Sequence, residues 1–437
     1  MIAQYRNKYF LLFQSIIRNS LIFITSLYIS LLLIEALLIY TDVDLKSSKS
    51  DLYKIIEKKK INIDFDNRDL VEFYLDYKEI NHNVVLSTTS TGFNSHLDSS
   101  FVLNDKTKVI PLSGISNRET ILCNELGYYA KYKSDNFGFN NPSNWKNKYD
   151  FLLLGDSIVE GYCVNEKNNI AGNLKNILKK KDSVLNLGRG ANGPLKNYAI
   201  FKEYIDLIDV NHILFFYTAG NDLSDLNKEI KNSVLKKYYS EIKYTQNLKN
   251  LQKLIDKNML LKTESAVTKY INQEKKIKQK KYHIYKFIKL NRTVRYKNKL
   301  LRKFKDQVAE AQHEKVSSKT DVFENLIKNE FREIIKLSYE LAKQKKINFY
   351  FVYVPSYFSD HKNHMGDEVI THINDQYYLH ILAMINELQI PLIDLKTALF
   401  NNDSDPLSIL PFRTSGHFNE NGNRLISNII IDKILLN

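Results

Sequence analysis

From Tyr149 onward, short apolar runs alternate with longer amphipathic stretches. The runs are Tyr149–Leu154 (YDFLLL), Ser183–Leu187 (SVLNL), His212–Tyr217 (HILFFY), Ile347–Val354 (INFYFVYV) and Ile390–Leu395 (IPLIDL), each bounded by polar or glycine-containing turns. Between and after them, Ile170–Lys180, Leu195–Ile208, Asp321–Lys346, Glu368–Leu388 and Asn421–Leu436 carry apolar residues at three- and four-residue spacing, which predicts helices. Strands separated by helical crossovers predict an α/β fold: a three-layer sandwich on a largely parallel sheet of about five strands. In such sheets ligands bind outside the carboxyl ends of the strands, so chemistry is expected just after the apolar runs.

A different pattern occupies the N-terminus. Ser20–Tyr40 (SLIFITSLYISLLLIEALLIY) holds one charge, Glu35, in a stretch long enough to cross a bilayer as a helix. The apolar run continues straight into Tyr40, Thr41 and Asp42 with no small-residue cleavage site, which predicts an uncleaved signal anchor. Arg6, Lys8 and Arg18 before the span are matched by Lys46, Lys49 and Lys54 after it, so charge does not decide orientation; a short N-terminus inside the cell is the default. Asp51–Ile121 has no long periodic run and reads as a linker with an N-terminal elaboration.

Of the 437 residues, 43% are hydrophobic and 12% aromatic, which excludes a disordered chain. The formal charge of +14 is not spread evenly: Lys228–Lys305 holds 24 Lys or Arg against 5 acids, leaving the rest of the chain at −5. A basic segment in an acidic protein suggests either a solvated lysine-rich helical excursion or a contact with an anionic surface. No zinc-finger spacing or RNA-binding signature accompanies it, so nucleic acid is not expected as a partner. Two cysteines, Cys123 and Cys163, cannot form a metal site alone; if exported they could pair.

The strand ends carry candidate chemistry. Gly155-Asp156-Ser157 follows the first run, a tight turn that would set a hydroxyl at the top of the sheet. A serine hydroxyl attacks only when a base takes its proton and donors await the oxyanion. Gly188, Arg189, Gly190 and Ala191 after the second run offer backbone amides, Asn221 after the third a side-chain amide, and His417 before the last helix a base. Each alone is weak; their order and their placement at strand ends carry the weight.

The blocks LLLGDSIVEGYCV, VLNLGRGANGPL, FFYTAGNDL and SGHFNENGNRL, in that order, resemble the SGNH hydrolases, or GDSL esterase superfamily, over about residues 149–436 outside the basic segment. YKSDNFGFNNP (Tyr132–Pro142) resembles the lead-in of membrane-anchored bacterial members. The resemblance implies a flavodoxin-like fold and hydrolysis or transfer of ester-linked acyl groups without metal or organic cofactor. It makes Ser157 the nucleophile with its own amide as one oxyanion donor, Asn221 a second, Gly190 or Ala191 a third, and His417 the base.

One position departs from that pattern. Related anchored proteins have an Asp two residues before the His, where this chain has Ser415. A Ser157/His417 dyad with a backbone carbonyl orienting the imidazole, a substitute acid at Asp403 or Asp405, and an impaired enzyme all remain open; the dyad is favoured, and Asp156 is expected only to brace the turn. The organisation expected is a cytoplasmic terminus at 1–19, an anchor at 20–40, a linker and elaboration at 41–120, and a catalytic domain at 121–437 with a basic helical insertion at about 228–320. The function expected is a serine esterase or O-acyltransferase on the periplasmic side of an inner membrane, acting on acylated envelope glycan or lipid. The alternative is a catalytically impaired scaffold that binds an anionic envelope partner, with residues 228–305 as the contact.

Overall fold

The computed structural model describes residues 2–40, 65–88, 101–102, 108–142, 144–279, 287–290, 292–294, 296–298, 300–301, 323–355, 377–400, 406–413 and 416–435. They fall into two units: residues 1–48 with 271–318, and residues 49–270 with 319–437.

In the larger unit, a helix at Leu70–Ile80 opens on a capping box, Asp69 accepting from the amides of Val71 and Glu72 while Glu72 returns to the Asp69 amide. Strands β1 (Val84–Leu86), β2 (Phe101–Val102), β3 (Lys108–Val109), β4 (Glu119–Ile121) and β5 (Lys131–Lys133) follow. β1, β4 and β5 form a small sheet with β4 central; β2 and β3 pair separately. The described part of the linker and elaboration expected at 41–120 packs on the main core, where Val85, Phe101, Val109, Ile110, Leu112 and Ile115 are buried.

The main sheet has five strands: β6 (Lys148–Leu154), β7 (Val184–Asn186), β8 (Asp209–Thr218), β9 (Asn348–Val354) and β10 (Leu392–Asp394). All are parallel, in the order β7-β6-β8-β9-β10. In chain order that is 2-1-3-4-5, the flavodoxin-like arrangement, whose switch point lies between β6 and β8. Every expected strand is present at its expected place.

Both faces of the sheet are covered, which explains the continuous apolar runs. Leu152, Leu154, Phe215, Tyr217, Phe351 and Tyr353 point into one core, with the helices at Pro194–Tyr204 and Arg332–Gln344. Their neighbours Phe151, Leu153, Leu214, Phe216, Val352 and Val354 point into the other, with the helices at Ile170–Ile177 and Glu420–Leu435. Burying a side chain of this size contributes about 1.5–3 kcal/mol, so the alternation fixes the strand register.

The basic segment divides. Its first part forms helices at Ser233–Ser240 and Gln252–Gln279 and buries Val234, Leu235, Tyr238, Leu248, Ile255, Met259 and Val267 in the larger unit. From Ile271, within that second helix, the described residues up to Leu301 group with the N-terminal unit, so the insertion expected at about 228–320 is divided between the two units. In that unit a helix runs from Ile2 to Tyr40, and its Gln14–Leu38 stretch has a mean hydropathy of 2.3, long and apolar enough to cross a membrane.

Candidate active site

The turn after β6 is shaped by what stands beside it. A Cβ on Gly155 would lie 2.4 Å from Val159 Cγ2, so only glycine lets the chain turn this tightly. Asp156 caps the helical turn Ser157–Glu160, its Oδ1 accepting from the Ile158 amide at 3.0 Å. It also accepts from Thr218 Oγ1 and Asn221 Nδ2, both at 3.1 Å. Burial pushes the Asp156 carboxyl up, opposed by those donors and by the charge of His417. The expected bracing role for Asp156 matches these contacts, and Ser157 is left as the first residue of the turn.

The lead-in Tyr132–Pro142 anchors this turn from below. Asn140 Nδ2 donates to the Glu160 carbonyl at 2.7 Å, and Asn141 pairs with both backbone groups of Asn186 at the end of β7. Asn186 in turn donates to the Val159 carbonyl at 2.7 Å. These amides lock the second strand end to the first.

His417 arrives from the loop before the last helix. Phe418 is buried in the core, and Asn419 donates to the Ser408 and Leu410 carbonyls while accepting from the Gly422 amide. The loop is thereby pinned, and His417 Nε2 lies 3.0 Å from Ser157 Oγ. On the other side of the ring, Nδ1 lies 3.0 and 3.2 Å from the two carboxylate oxygens of Glu125. The His417 backbone amide donates to Glu125 Oε2 at 2.7 Å. A carboxylate can only accept, so Nδ1 carries the proton and Nε2 is left to accept from the serine hydroxyl.

Glu125 is the residue that reading the sequence missed. Its partnership replaces the favoured dyad, because the imidazole is oriented by a carboxylate and not by a backbone carbonyl. It lies on the loop between β4 and β5, whose ends close by Leu122 amide to Ala130 carbonyl and Ala130 amide to Cys123 carbonyl. Two residues before it, Cys123 is disulfide-bonded to Cys163, which follows the Ser157 turn. Gly416 is the counterpart on the histidine side: at φ +122° it takes a backbone that glycine favours, and a Cβ there would lie 2.6 Å from Glu125 Oε2. Asp403, Asp405 and Ser415 lie outside the described residues.

The charges reinforce one another. Burial opposes ionisation of Glu125, but His417, by its charge and hydrogen bonds, holds it below the usual carboxylate range. Burial likewise disfavours the imidazolium, yet Glu125, helped by Asp156 and Glu160, holds His417 above the ordinary imidazole value. Tyr162 stands against the ring at 4.8 Å between centroids.

The expected oxyanion donors are placed less simply. The Gly190 amide donates to the buried Glu160 Oε2 at 2.7 Å, which removes Gly190 as a donor to substrate. Ala191, exposed and at φ 60°, is the backbone donor left in that loop. Asn221 sits at the end of β8 with Nδ2 3.1 Å from Asp156 and 3.1 Å from Asp225, so meeting an oxyanion exchanges one of these contacts.

Glu125, Cys163 and His417 hold their donor atoms within 4.8 Å of one another. The Cys163 sulfur is in the disulfide, and the other two bond to each other, which leaves too few ligands for a zinc site.

No family model and no curated protein matches the chain. Solved structures do. A Desulfitobacterium hafniense DCB-2 protein assigned to the lipolytic G-D-S-L family is 13% identical, covering 66% of this chain and all of its own, with a TM-score of 0.33. The acetyl xylan esterase AlAXEase is 13% identical, covering 65% and 100%, with a TM-score of 0.32. A lipase/acylhydrolase from Enterococcus faecalis is 11% identical, covering 65% and 95%, with a TM-score of 0.34. These likenesses are loose, and what the site does is argued from the chain's own residues.

Proposed function

We propose that this protein is a serine esterase or O-acyltransferase of the SGNH type, anchored by its N-terminal helix and acting on ester-linked acyl groups of envelope glycan or lipid. The supporting observation is the continuous line from Ser157 Oγ through His417 to Glu125, at 3.0 Å on each side of the ring.

In this mechanism Ser157 Oγ attacks the ester carbonyl carbon as His417 Nε2 takes its proton, and Glu125 stabilises the imidazolium. Ser157 and Ala191 backbone amides, with Asn221, offer donors to the oxyanion. Collapse breaks the bond to the alcohol, which leaves with the proton held by His417. Water or a sugar hydroxyl then attacks the acyl-serine, again losing its proton to His417; collapse breaks the bond to Ser157 Oγ, which takes that proton back as the acid or the new ester departs. No redox or metal step is required.

The scaffold alternative drew its support from the missing acid at Ser415, and Glu125 supplies a carboxylate where that acid is needed. A fluorophosphonate probe on the full chain in detergent tests the proposal. Ser157 is expected to label, and Ser157→Ala and His417→Ala to abolish labelling. Folded wild-type protein that does not label would favour the scaffold.

A further inference from the structure

The basic segment has a second half whose contacts run to the apolar helix. Glu35, the single charge in the span, is fully buried in its unit. Its Oε1 accepts from the Arg292 amide at 2.8 Å, and its Oε2 from the Thr293 amide at 2.7 Å and hydroxyl at 2.8 Å. Arg292 also donates through Nη1 to the Leu38 carbonyl at 2.8 Å, and Tyr28 donates to the Ile288 carbonyl at 2.8 Å. A carboxylate inside an apolar span is costly unless satisfied, and here one short segment of the insertion satisfies it.

These contacts set a depth. At 1.5 Å per residue, Glu35 lies about 4–5 Å from the Leu38 end of the apolar stretch and Tyr28 about 15 Å from it. A segment bonded to both therefore runs from the Leu38 end of the span, where hydrocarbon gives way to headgroups, inward to about the level of Tyr28. Its composition suits that zone: Ile288, Val294, Leu300 and Leu301 are each about half-exposed, beside exposed Lys289 and Lys297. Exposed apolar and cationic side chains together are what an interfacial segment presents to lipid. The first half of the basic segment differs: Val234, Leu235, Tyr238, Leu248, Ile255 and Met259 are buried, of its described apolar residues only Ile242 and Leu261 stand out to solvent, and Lys236, Lys237, Lys253 and Lys257 face outward from a packed core.

We infer that the described residues of 287–301 form a second membrane-contacting element, clamped to the anchor through Glu35, with Ile288 in the hydrocarbon and the residues from Arg292 onward seated among anionic phospholipid headgroups. Only this half of the basic segment makes that contact. The inference rests on the reading of the N-terminal helix as an anchor and is independent of the esterase chemistry.

Spin labels on the full chain in lipid nanodiscs test it. Labels are placed at Ile288→Cys and Leu301→Cys, with Leu27→Cys in the span and Ile242→Cys in the first half as references; nanodiscs contain phosphatidylcholine alone or mixed with phosphatidylglycerol. The Ile288 and Leu301 labels are expected to show an oxygen-to-nickel accessibility ratio several-fold above that of Ile242. The ratio should rise with phosphatidylglycerol and fall back in high salt. Glu35→Ala should return the Ile288 label toward the Ile242 value while Leu27 stays embedded. Labels at Ile288 and Leu301 that match Ile242, that are shielded from both reagents, or that ignore phosphatidylglycerol would overturn the inference with Leu27 still embedded. An aqueous Leu27 label would overturn the anchor reading and this inference with it.

Discussion

The site is assembled from two regions built on different principles. On one side, Ser157 and Asn221 stand at the ends of β6 and β8, neighbouring parallel strands at the switch point of the sheet. Backbone pairing and two buried faces hold them in place. On the other side, Glu125 stands on a loop between two short strands outside the main sheet, held to the nucleophile region by the Cys123–Cys163 disulfide and to His417 by hydrogen bonds. The proposed nucleophile is thus placed by the fold, whereas the proposed acid is placed by a stapled appendage. Removing Ser157 from the sheet side should abolish the chemistry, whereas changes at the loop side should reduce it by degrees.

Ser157→Ala should produce the largest loss of ester hydrolysis, on the order of 10⁶-fold, because no other group supplies the attacking oxygen. Glu125→Gln keeps the shape of the side chain but loses its charge; about 10⁴-fold is expected, the scale on which a misheld imidazole costs a serine hydrolase. Steady-state kinetics on a p-nitrophenyl ester measures both. Asn221→Ala should cost about 10²–10³-fold in kcat with little change in KM, as expected for an oxyanion donor; an unchanged kcat would limit Asn221 to bracing Asp156. Opening the staple by Cys123→Ser with Cys163→Ser should cost roughly tenfold, since a shift near 1 Å in a positioned group can cost up to about 10²-fold. That double variant should leave fluorophosphonate labelling at Ser157 detectable, which separates a loosened acid from an unfolded protein. Asp403→Asn and Asp405→Asn, the smallest effect, should leave activity unchanged; a loss comparable to Glu125→Gln would relocate the acid.

The same division explains what the sequence made legible. The five strands could be read because runs such as YDFLLL and INFYFVYV are buried on both faces and must be apolar throughout. Ser157 and Asn221 stood out because a strand-then-turn pattern says where the top of a parallel sheet will be, and His417 because it precedes the last helix in a block that resembles the SGNH hydrolases. Glu125 carried no such mark: ILCNELGYY has no long period, and the contact with His417 spans 292 residues. Cys123 was the available signal, because a disulfide to Cys163 brings its neighbours to the nucleophile turn, but spacing alone does not give a pairing. The amide of Gly190 was misassigned for a related reason: Glu160, three residues after Ser157, accepts that N–H in its buried carboxylate. The basic segment read as one block by charge, yet burial of Tyr238, Ile255 and Met259 separates its first half from the half that meets Glu35.

The central claim is that Glu125 holds and charges His417, and the pH dependence of esterase activity tests it most directly. The base must be neutral to accept the serine proton, so activity falls as pH drops through the His417 pKa. In the wild type Glu125 raises that pKa, so the acidic limb should lie above the ordinary imidazole value of 6.5. Glu125→Gln removes the carboxylate, so its limb should move to lower pH as its plateau falls. A Glu125→Gln enzyme with the wild-type plateau and the wild-type limb would show that Glu125 is a bystander and that another group completes the site.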